Sequence, residues 1–217
     1  MTSIPIDLKN KALETPKINA AVVCPNEESV LLAVKEAKEI NLINPILIGK
    51  KSLIEKTANQ VNLEINSYNI IEINNEQEAA TVACKLAHED KVKIIIKGNL
   101  HTDILMRYYL KKEFNLIVGR RLSHIWHMTA QKLNKPLFIT DGALNVLPRV
   151  EIKLQILKNA VDFCNKLNIF KPKVAILSGT EDPIDSMPSS IEAQKVMELA
   201  NKENVDALVH GPLAFDN

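Results

Sequence analysis

The sequence has few of the residues that define several classes of protein. Its 217 residues include three cysteines, Cys24, Cys84 and Cys164, an odd number at wide spacing. This pattern excludes a disulfide framework and a CxxC metal or redox site, so we expect reduced, mostly buried thiols. Lysine and arginine together number 27 against 26 aspartates and glutamates, a formal net charge of +1. Because no basic excess is available to neutralise a phosphate backbone, nucleic acid is not an expected partner.

Long apolar runs are also missing. No stretch approaches ~18 consecutive apolar residues, and segment 1–17 has no continuous apolar core of the kind that a secretion signal needs. We therefore expect no contact with a membrane and a location in the reducing cytoplasm. The content of 46% hydrophobic and 24% charged residues is typical of a globular chain, with length for one large domain or two small ones.

Short apolar runs alternate with amphipathic segments along most of the chain. The run 19–24 predicts a buried strand, and the segment 27–40, with apolar residues at three- and four-residue steps, predicts a helix. The same patterns predict strands over 45–48, 68–73, 93–96, 136–140, 174–177 and 207–209, and helices over 52–60, 76–88, 102–112, 150–167 and 191–201. Single helices between such strands indicate an α/β fold, a mostly parallel sheet with helices on both faces.

One domain boundary is predicted at Pro148, just before the long helix that begins near Val150. It separates a first α/β domain, residues 1–148, from a second, residues 149–217. The segment 115–133 contains the run RRLSHIWHM and fits a strand or a loop, and its periodicity leaves both open.

Small, polar or charged residues follow four of the predicted strands. Ligands of open parallel sheets bind at these carboxyl ends, where loops and helix N-termini converge. Lys97 is followed by Gly98, which allows a backbone to approach a ligand closely, and Thr102 is placed to cap the next helix with its hydroxyl exposed. These residues predict an anion site, but a solvated lysine and a simple cap fit the pattern equally well. Asp141 and Gly142 suit a substrate hydrogen bond or a cation, and equally a turn.

Two arginines precede a serine and two histidines in the segment RRLSHIWHM. Arg121 offers a planar fork for phosphate, and Ser123 and His124 add donors for the same oxygens. Alternatively, Arg120 and Arg121 are solvated, one of them paired with a carboxylate. His124 and His127 have metal-ligand spacing but no third and fourth ligands, so no metal is expected.

Motifs of three common enzyme classes are absent. The sequence has no Gly-x-Ser-x-Gly elbow at Ser178, no Walker phosphate loop and no Gly-x-Gly-x-x-Gly turn. Neither a hydrolase with a nucleophile elbow nor a nucleotide-binding protein of these types is supported.

Six segments in order carry a family resemblance: IIKGNLHTDILM, RRLSHIWHM, PLFITDGALNVLP, PKVAILSGTEDP, MPSSIEAQ and GPLAFDN. The chain resembles the phosphate acetyl/butyryltransferase family, most closely its phosphate butyryltransferase branch, from KINAAVVCPNEESVLLAVKEA onward. The resemblance implies transfer of a short acyl group, acetyl or butyryl, between coenzyme A and inorganic phosphate, with no metal or prosthetic group. It also implies two α/β domains similar to isocitrate and isopropylmalate dehydrogenases, an active site between them, and a homodimer.

The resemblance also gives the strand-end residues their expected roles. The residues expected to bind phosphate or acyl phosphate are Lys97, Gly98, Thr102, Arg121, Ser123 and His124. The residues expected to shape the cleft are Asp141, Gly142, Asn145 and Glu181.

Family members continue beyond GPLAFDN, and a Ser-Arg pair followed by an Asp in that part resembles phosphate-binding and general-base groups. No arginine of this chain follows a serine, so no catalytic residue is assigned. We therefore expect the second domain to be incomplete. Three alternatives stay open for the chain: an active enzyme, an inactive remnant that still binds CoA or phosphate, or half of a split enzyme. Apolar surface left uncovered predicts a homodimer or a complementing C-terminal polypeptide.

Overall fold

The computed structural model describes residues 5–117, 119–129 and 135–216. By contact, the chain divides into two compact units, residues 1–118 and 119–217. The elements of the first unit are α1 Ile6–Leu13, β1 Ile18–Val23, α2 Glu28–Glu39, β2 Ile43–Gly49, α3 Lys51–Gln60, β3 Asn69–Glu72, α4 Glu76–His88, β4 Ile94–Lys97 and α5 Thr102–Tyr109. Those of the second unit are β5 Trp126–Met128, β6 Leu137–Ile139, α6 Val150–Lys166, β7 Lys173–Leu177, α7 Pro188–Lys202 and β8 Leu208–Leu213.

The first unit is a four-stranded parallel sheet with helices on both faces. Its strand order is β3-β2-β1-β4, so β1 lies inside the sheet, and the segment 20–23 of β1 is fully buried. Successive residues of a strand point to opposite faces. Ala21 and Val23 accordingly pack in the core cluster with α4 and α5, and Val22 packs in the cluster with α2 and α3. The predicted α/β class with a parallel sheet is confirmed.

Helix α4 shows how the local sequence builds these layers. Asn75 caps its N-terminus, because the Asn75 Oδ1 accepts the backbone N–H groups of Gln77 at 2.8 Å and Glu78 at 3.2 Å. Ala79 and Ala83 on its inner face are fully buried. These short side chains let the helix pack closely against β1 and β2, and its observed bounds match the predicted ones.

The second unit contains two separate two-stranded sheets. Strands β7 and β8 are parallel, and α6 and α7 share an apolar core with residues of both strands. Strands β5 and β6 form an antiparallel pair in which Trp126 is opposite Ile139. The prediction of a parallel sheet therefore fails for β6, because a short apolar run indicates a strand without indicating its partner. Helix α1 was not predicted, and strand β5 lies in the segment 115–133, for which the sequence left a strand and a loop open. Residues 118 and 130–133 of that segment lie outside the described residues.

The contacts divide the chain before the boundary predicted at Pro148. The reason is that the residues after Gly119 pack on α6: Phe138 of β6 meets Phe163 edge to face, with ring centroids 5.7 Å apart. Hydrogen bonds also join the segment 120–123 to α6, so this segment belongs to the same unit as the helix. The division into domains 1–148 and 149–217 stays a prediction.

The three cysteines are free and buried. Burial, with a smaller contribution from Glu76, raises the pKa of Cys24 to about 11. Burial also raises the pKa of Cys84 to about 11, against an opposing effect of Lys111, and raises that of Cys164. These thiols are protonated at neutral pH and unreactive as nucleophiles.

Among the described residues, no helix is both long and apolar enough to cross a lipid bilayer.

Candidate functional site

The segment 120–123 is held against one side of helix α6. Gln155 and Asn159 are four residues apart, which places both on that side of the helix. The Gln155 Oε1 accepts the backbone N–H of Arg121 at 2.7 Å. The Asn159 Nδ2 donates to the Arg121 carbonyl oxygen at 2.8 Å and to the Ser123 Oγ at 2.9 Å. Both backbone polar groups of Arg121 are therefore fixed by side chains of α6.

The two adjacent arginines have different partners. Arg120 forms an ion pair with Asp162, with 2.6 Å between Nη2 and Oδ2. The Arg121 Nε donates to the amide Oδ1 of Asn145 at 3.0 Å. Among the described residues Arg121 has no carboxylate within ion-pair distance, so its charge is not neutralised. One arginine is thus paired, as the alternative interpretation had it, and Arg121 is the one that retains its capacity for an anion.

The carboxylate of Asp141 organises the loop after β6. Its Oδ1 accepts the backbone N–H groups of Ala143 at 3.2 Å and Leu144 at 3.1 Å, and its Oδ2 accepts that of Asn145 at 3.1 Å. The Asn145 Nδ2 donates to the same carboxylate and, at 2.9 Å, to the Leu122 carbonyl oxygen. Asp141 therefore serves the turn, as the second interpretation of the Asp-Gly pair predicts, and it supports the residue that contacts Arg121.

The hydrogen bonds to Asp141 also change its acidity. Partial burial alone would raise the pKa of Asp141, but hydrogen bonds from the Asn145 side chain and from nearby backbone N–H groups outweigh burial and hold the pKa below its usual range. A carboxylate with a lowered pKa stabilises the folded state above its ordinary pKa. That stabilisation is lost as the pH falls through the lowered value.

We predict that the stability difference between the native chain and Asp141→Asn depends on pH. The difference should have its full value at pH 6 and shrink at pH 3, below the ordinary aspartate pKa of about 3.9. Urea unfolding at both pH values, followed by the fluorescence of Trp126, the single tryptophan, measures it. A difference that is the same at both pH values would contradict the assignment.

Lys97 and Thr102 lie at the carboxyl end of β4 in the first unit. The Lys97 Nζ donates to the carbonyl oxygens of Gly98 at 3.2 Å and Leu100 at 2.9 Å. Both of these acceptors are backbone oxygens, and Lys97 forms no ion pair with a carboxylate of the described residues. Thr102 is the first residue of α5, and His101 occupies the cap position without a side-chain cap. The alternative that Thr102 caps the helix is therefore wrong, and its side chain is exposed.

Gly98 is required by the packing of the chain itself. A Cβ at this position would lie 2.4 Å from the Cys24 carbonyl oxygen and 2.6 Å from that of Val23. The Gly98 N–H donates to the Val23 oxygen and the Asn99 N–H to the Cys24 oxygen, each at 2.8 Å. Gly98 was predicted to let the backbone approach a ligand closely. In the structure the group that lies close to Gly98 is the backbone at the end of β1.

The remaining predicted residues surround the hairpin and the β7–α7 loop. The ring of His124 packs edge to face against Trp126 with centroids 4.8 Å apart, and its buried Nδ1 has no hydrogen-bond partner among the described residues. Gly142 is exposed beside Trp126. Glu181 is exposed in the loop after β7. In the part of the chain that the structure describes, no three His, Cys, Asp or Glu side chains are grouped to hold a metal.

The predicted residues thus lie in two groups, one in each unit. In the first unit the Lys97 Nζ donates to the Gly98 carbonyl oxygen, and Thr102 begins the next helix. In the second unit a network through Asn145 links Arg121 to Asp141. Sequence reasoning missed the residues of α6 that hold the arginine segment, Gln155, Asn159 and Asp162. Their only signal is a polar face at helical spacing, which usually indicates contact with solvent.

Comparison with known proteins relates the chain to acyltransferases. The family model described as Phosphate acetyl/butaryl transferase matches residues 76–217. A phosphate acetyltransferase of Rickettsia felis is 37% identical over 214 residues, 98% of this chain and 61% of that protein. A phosphate butyryltransferase of Clostridium beijerinckii is 31% identical over 212 residues, 97% of this chain and 70% of that protein. These identities do not favour the butyryltransferase branch over the acetyltransferases.

Solved structures give the same relation. A branched-chain phosphotransacylase from Enterococcus faecalis superposes with a TM-score of 0.76 at 26% identity, covering 92% of this chain and 69% of that one. A phosphotransacetylase from Streptococcus pyogenes, at 18% identity and a TM-score of 0.78, covers 98% of this chain and 74% of that one and shows likeness of fold. The chain spans between 61% and 70% of the length of the curated relatives it matches.

Proposed function

Because the chain belongs to the phosphate acetyl/butyryltransferase family, we propose that it takes part in acyl transfer between coenzyme A and inorganic phosphate. The reaction is acyl-CoA + phosphate ⇌ acyl phosphate + CoA with a short acyl group, acetyl or butyryl, without metal or prosthetic group, in the cytoplasm. The observation that carries the proposal is the guanidinium of Arg121, which is held by an amide and has no ion pair within the described residues.

The chemistry needs positive charge and hydroxyl groups where phosphate binds. In the direction that forms acyl-CoA, a base removes the thiol proton, the thiolate attacks the acyl carbonyl, and the C–O bond to phosphate breaks. Fixed donors stabilise the oxyanion and the departing phosphate, and binding both substrates together supplies proximity. We assign Arg121 to the phosphate charge, with the hydroxyl group of Ser123 in the same unit as a further donor. For Lys97 and Thr102 of the first unit, phosphate binding stays a prediction from the family resemblance.

The direct test is the release of free thiol from acetyl-CoA or butyryl-CoA mixed with phosphate and the folded chain. The buried, protonated cysteines keep the background of a thiol reagent low. Turnover dependent on phosphate supports the proposal, and the ratio of the two rates gives the acyl preference. A folded chain that binds CoA or phosphate without turnover would instead be an inactive remnant or half of a split enzyme.

We also propose that the chain associates, as a homodimer or with a complementing polypeptide. The outer face of the β5–β6 pair presents Trp126 opposite Ile139 and Met128 opposite Leu137, all exposed in the single chain. Four adjacent apolar side chains on one face are more than the scattered exposure of ordinary surfaces and favour an interface.

Light scattering of the purified chain should therefore show a dimer or a larger species. Met128→Lys should shift it toward the monomer, because a charge would be desolvated in the interface. The matched control is Leu32→Lys in the first unit, since Leu32 is 47% exposed and Met128 44%. A native chain that stays monomeric, or equal effects of both variants, would contradict the interface.

A further inference from the structure

We propose that Asn145 is a positioning residue that presents the guanidinium of Arg121 to phosphate, an inference that rests on the proposed function. The family resemblance implies that Asn145 helps to shape the cleft. In the structure its side-chain oxygen accepts the Arg121 Nε at 3.0 Å, on the inner edge of the guanidinium. A bond at Nε fixes the plane of the group and leaves both Nη atoms for the two oxygens of a phosphate.

The orientation of the Asn145 amide follows from its other contacts. Its nitrogen lies beside two acceptors, the Leu122 carbonyl oxygen at 2.9 Å and the Asp141 carboxylate. An amide oxygen in that place would face two other oxygens without a proton between them. Only the observed orientation satisfies both, so the amide oxygen must face Arg121. Asp141 therefore acts on Arg121 through Asn145.

An amide suits this position better than a carboxylate. Arg120 shows the alternative, because its guanidinium is bound by the Asp162 carboxylate and its charge is neutralised. The amide of Asn145 restricts the motion of Arg121 without neutralising it. A guanidinium that is already ordered loses less conformational entropy when an anion binds. The structure thus gives the adjacent arginines two tasks, attachment to α6 for Arg120 and anion binding for Arg121.

The geometry can be tested without any activity, by the exchange of arginine Nε–H protons in a ¹⁵N-labelled sample. The chain has four arginines, so the spectrum is sparse, and Arg121→Ala identifies the signal. We expect the Arg121 Nε–H to exchange more slowly than that of exposed Arg107, and Asn145→Ala to remove this protection. Asn145→Asp should retain it, because an aspartate oxygen still accepts the bond. Unprotected Arg121 in the native chain would overturn the inference.

Titration with inorganic phosphate then measures the consequence, with urea unfolding to confirm that each variant is folded. Asn145→Ala should weaken binding about 3- to 10-fold, the range expected for one side chain that must be ordered on binding. Asn145→Asp should weaken it more than tenfold, because the new carboxylate neutralises Arg121 and repels phosphate. If Asn145 had only a structural role, the two variants should bind phosphate with similar affinity, since both lose the amide nitrogen.

The outcomes separate this inference from the function on which it rests. If Arg121→Ala weakens phosphate binding and both Asn145 variants bind like the native chain, Asn145 is not a positioning residue and the proposed function stands. If the native chain binds no phosphate, or Arg121→Ala binds it as well as the native chain, the phosphate site is wrong and the inference falls with it. Protection of the Arg121 Nε–H that survives Asn145→Ala would overturn the inference alone.

Discussion

Replacing Gly98 by alanine is expected to lower the free energy of unfolding of the first unit by about 3 kcal/mol, the upper part of the range for inserting a group into a packed core. The new Cβ would lie 2.4 Å and 2.6 Å from two carbonyl oxygens at the end of β1. These oxygens belong to Val23, the last residue of the inner strand β1, and to Cys24 directly after it, so they move only if that end of the strand moves. The two hydrogen bonds from Gly98 and Asn99 to the same oxygens would be lost with that movement.

Urea unfolding followed by circular dichroism measures this effect. Gly142→Ala is the matched control, because a Cβ there would meet only the Trp126 ring at 3.9 Å and 4.0 Å, an ordinary contact. We expect this control to change stability by less than about 0.5 kcal/mol, as for most surface substitutions. Equal unfolding midpoints for the two variants would mean that Gly98 is not held by β1.

The sequence predicted the elements better than their pairing. Helix α4 was predicted with its observed bounds, because its apolar spacing and the Asn75 cap are both local. The antiparallel direction of β6 was not predicted. Its partner β5 is only three residues long and lies in a segment whose sequence has no clear periodicity. Strand pairing depends on contacts between distant residues, and local patterns carry little information about it.

The candidate site shows the same limit. The rule that ligands bind at the carboxyl ends of strands selected Lys97 and Asp141, but it did not distinguish a ligand from a residue that serves the chain. The ion pair of Arg120 with Asp162 spans 42 residues, and the bond from Arg121 to Asn145 spans 24. Nothing in the run of two arginines indicates which of them is neutralised, so only the structure divides their tasks.

This division predicts opposite results for two substitutions in adjacent positions. Arg121→Ala should weaken the binding of inorganic phosphate by about 10- to 100-fold, because it removes charge-assisted hydrogen bonds worth ~1.5–3 kcal/mol together. Arg120→Ala removes the same charge one residue away, and phosphate affinity should change by less than about threefold, since that guanidinium is already bound by Asp162. Its effect should fall on stability and stay within the ~0.2–1 kcal/mol of an exposed ion pair. Calorimetric titration at fixed ionic strength compares the two variants directly. Because both lower the net charge equally, a similar loss of affinity in both would assign phosphate binding to the general field of the protein and not to Arg121.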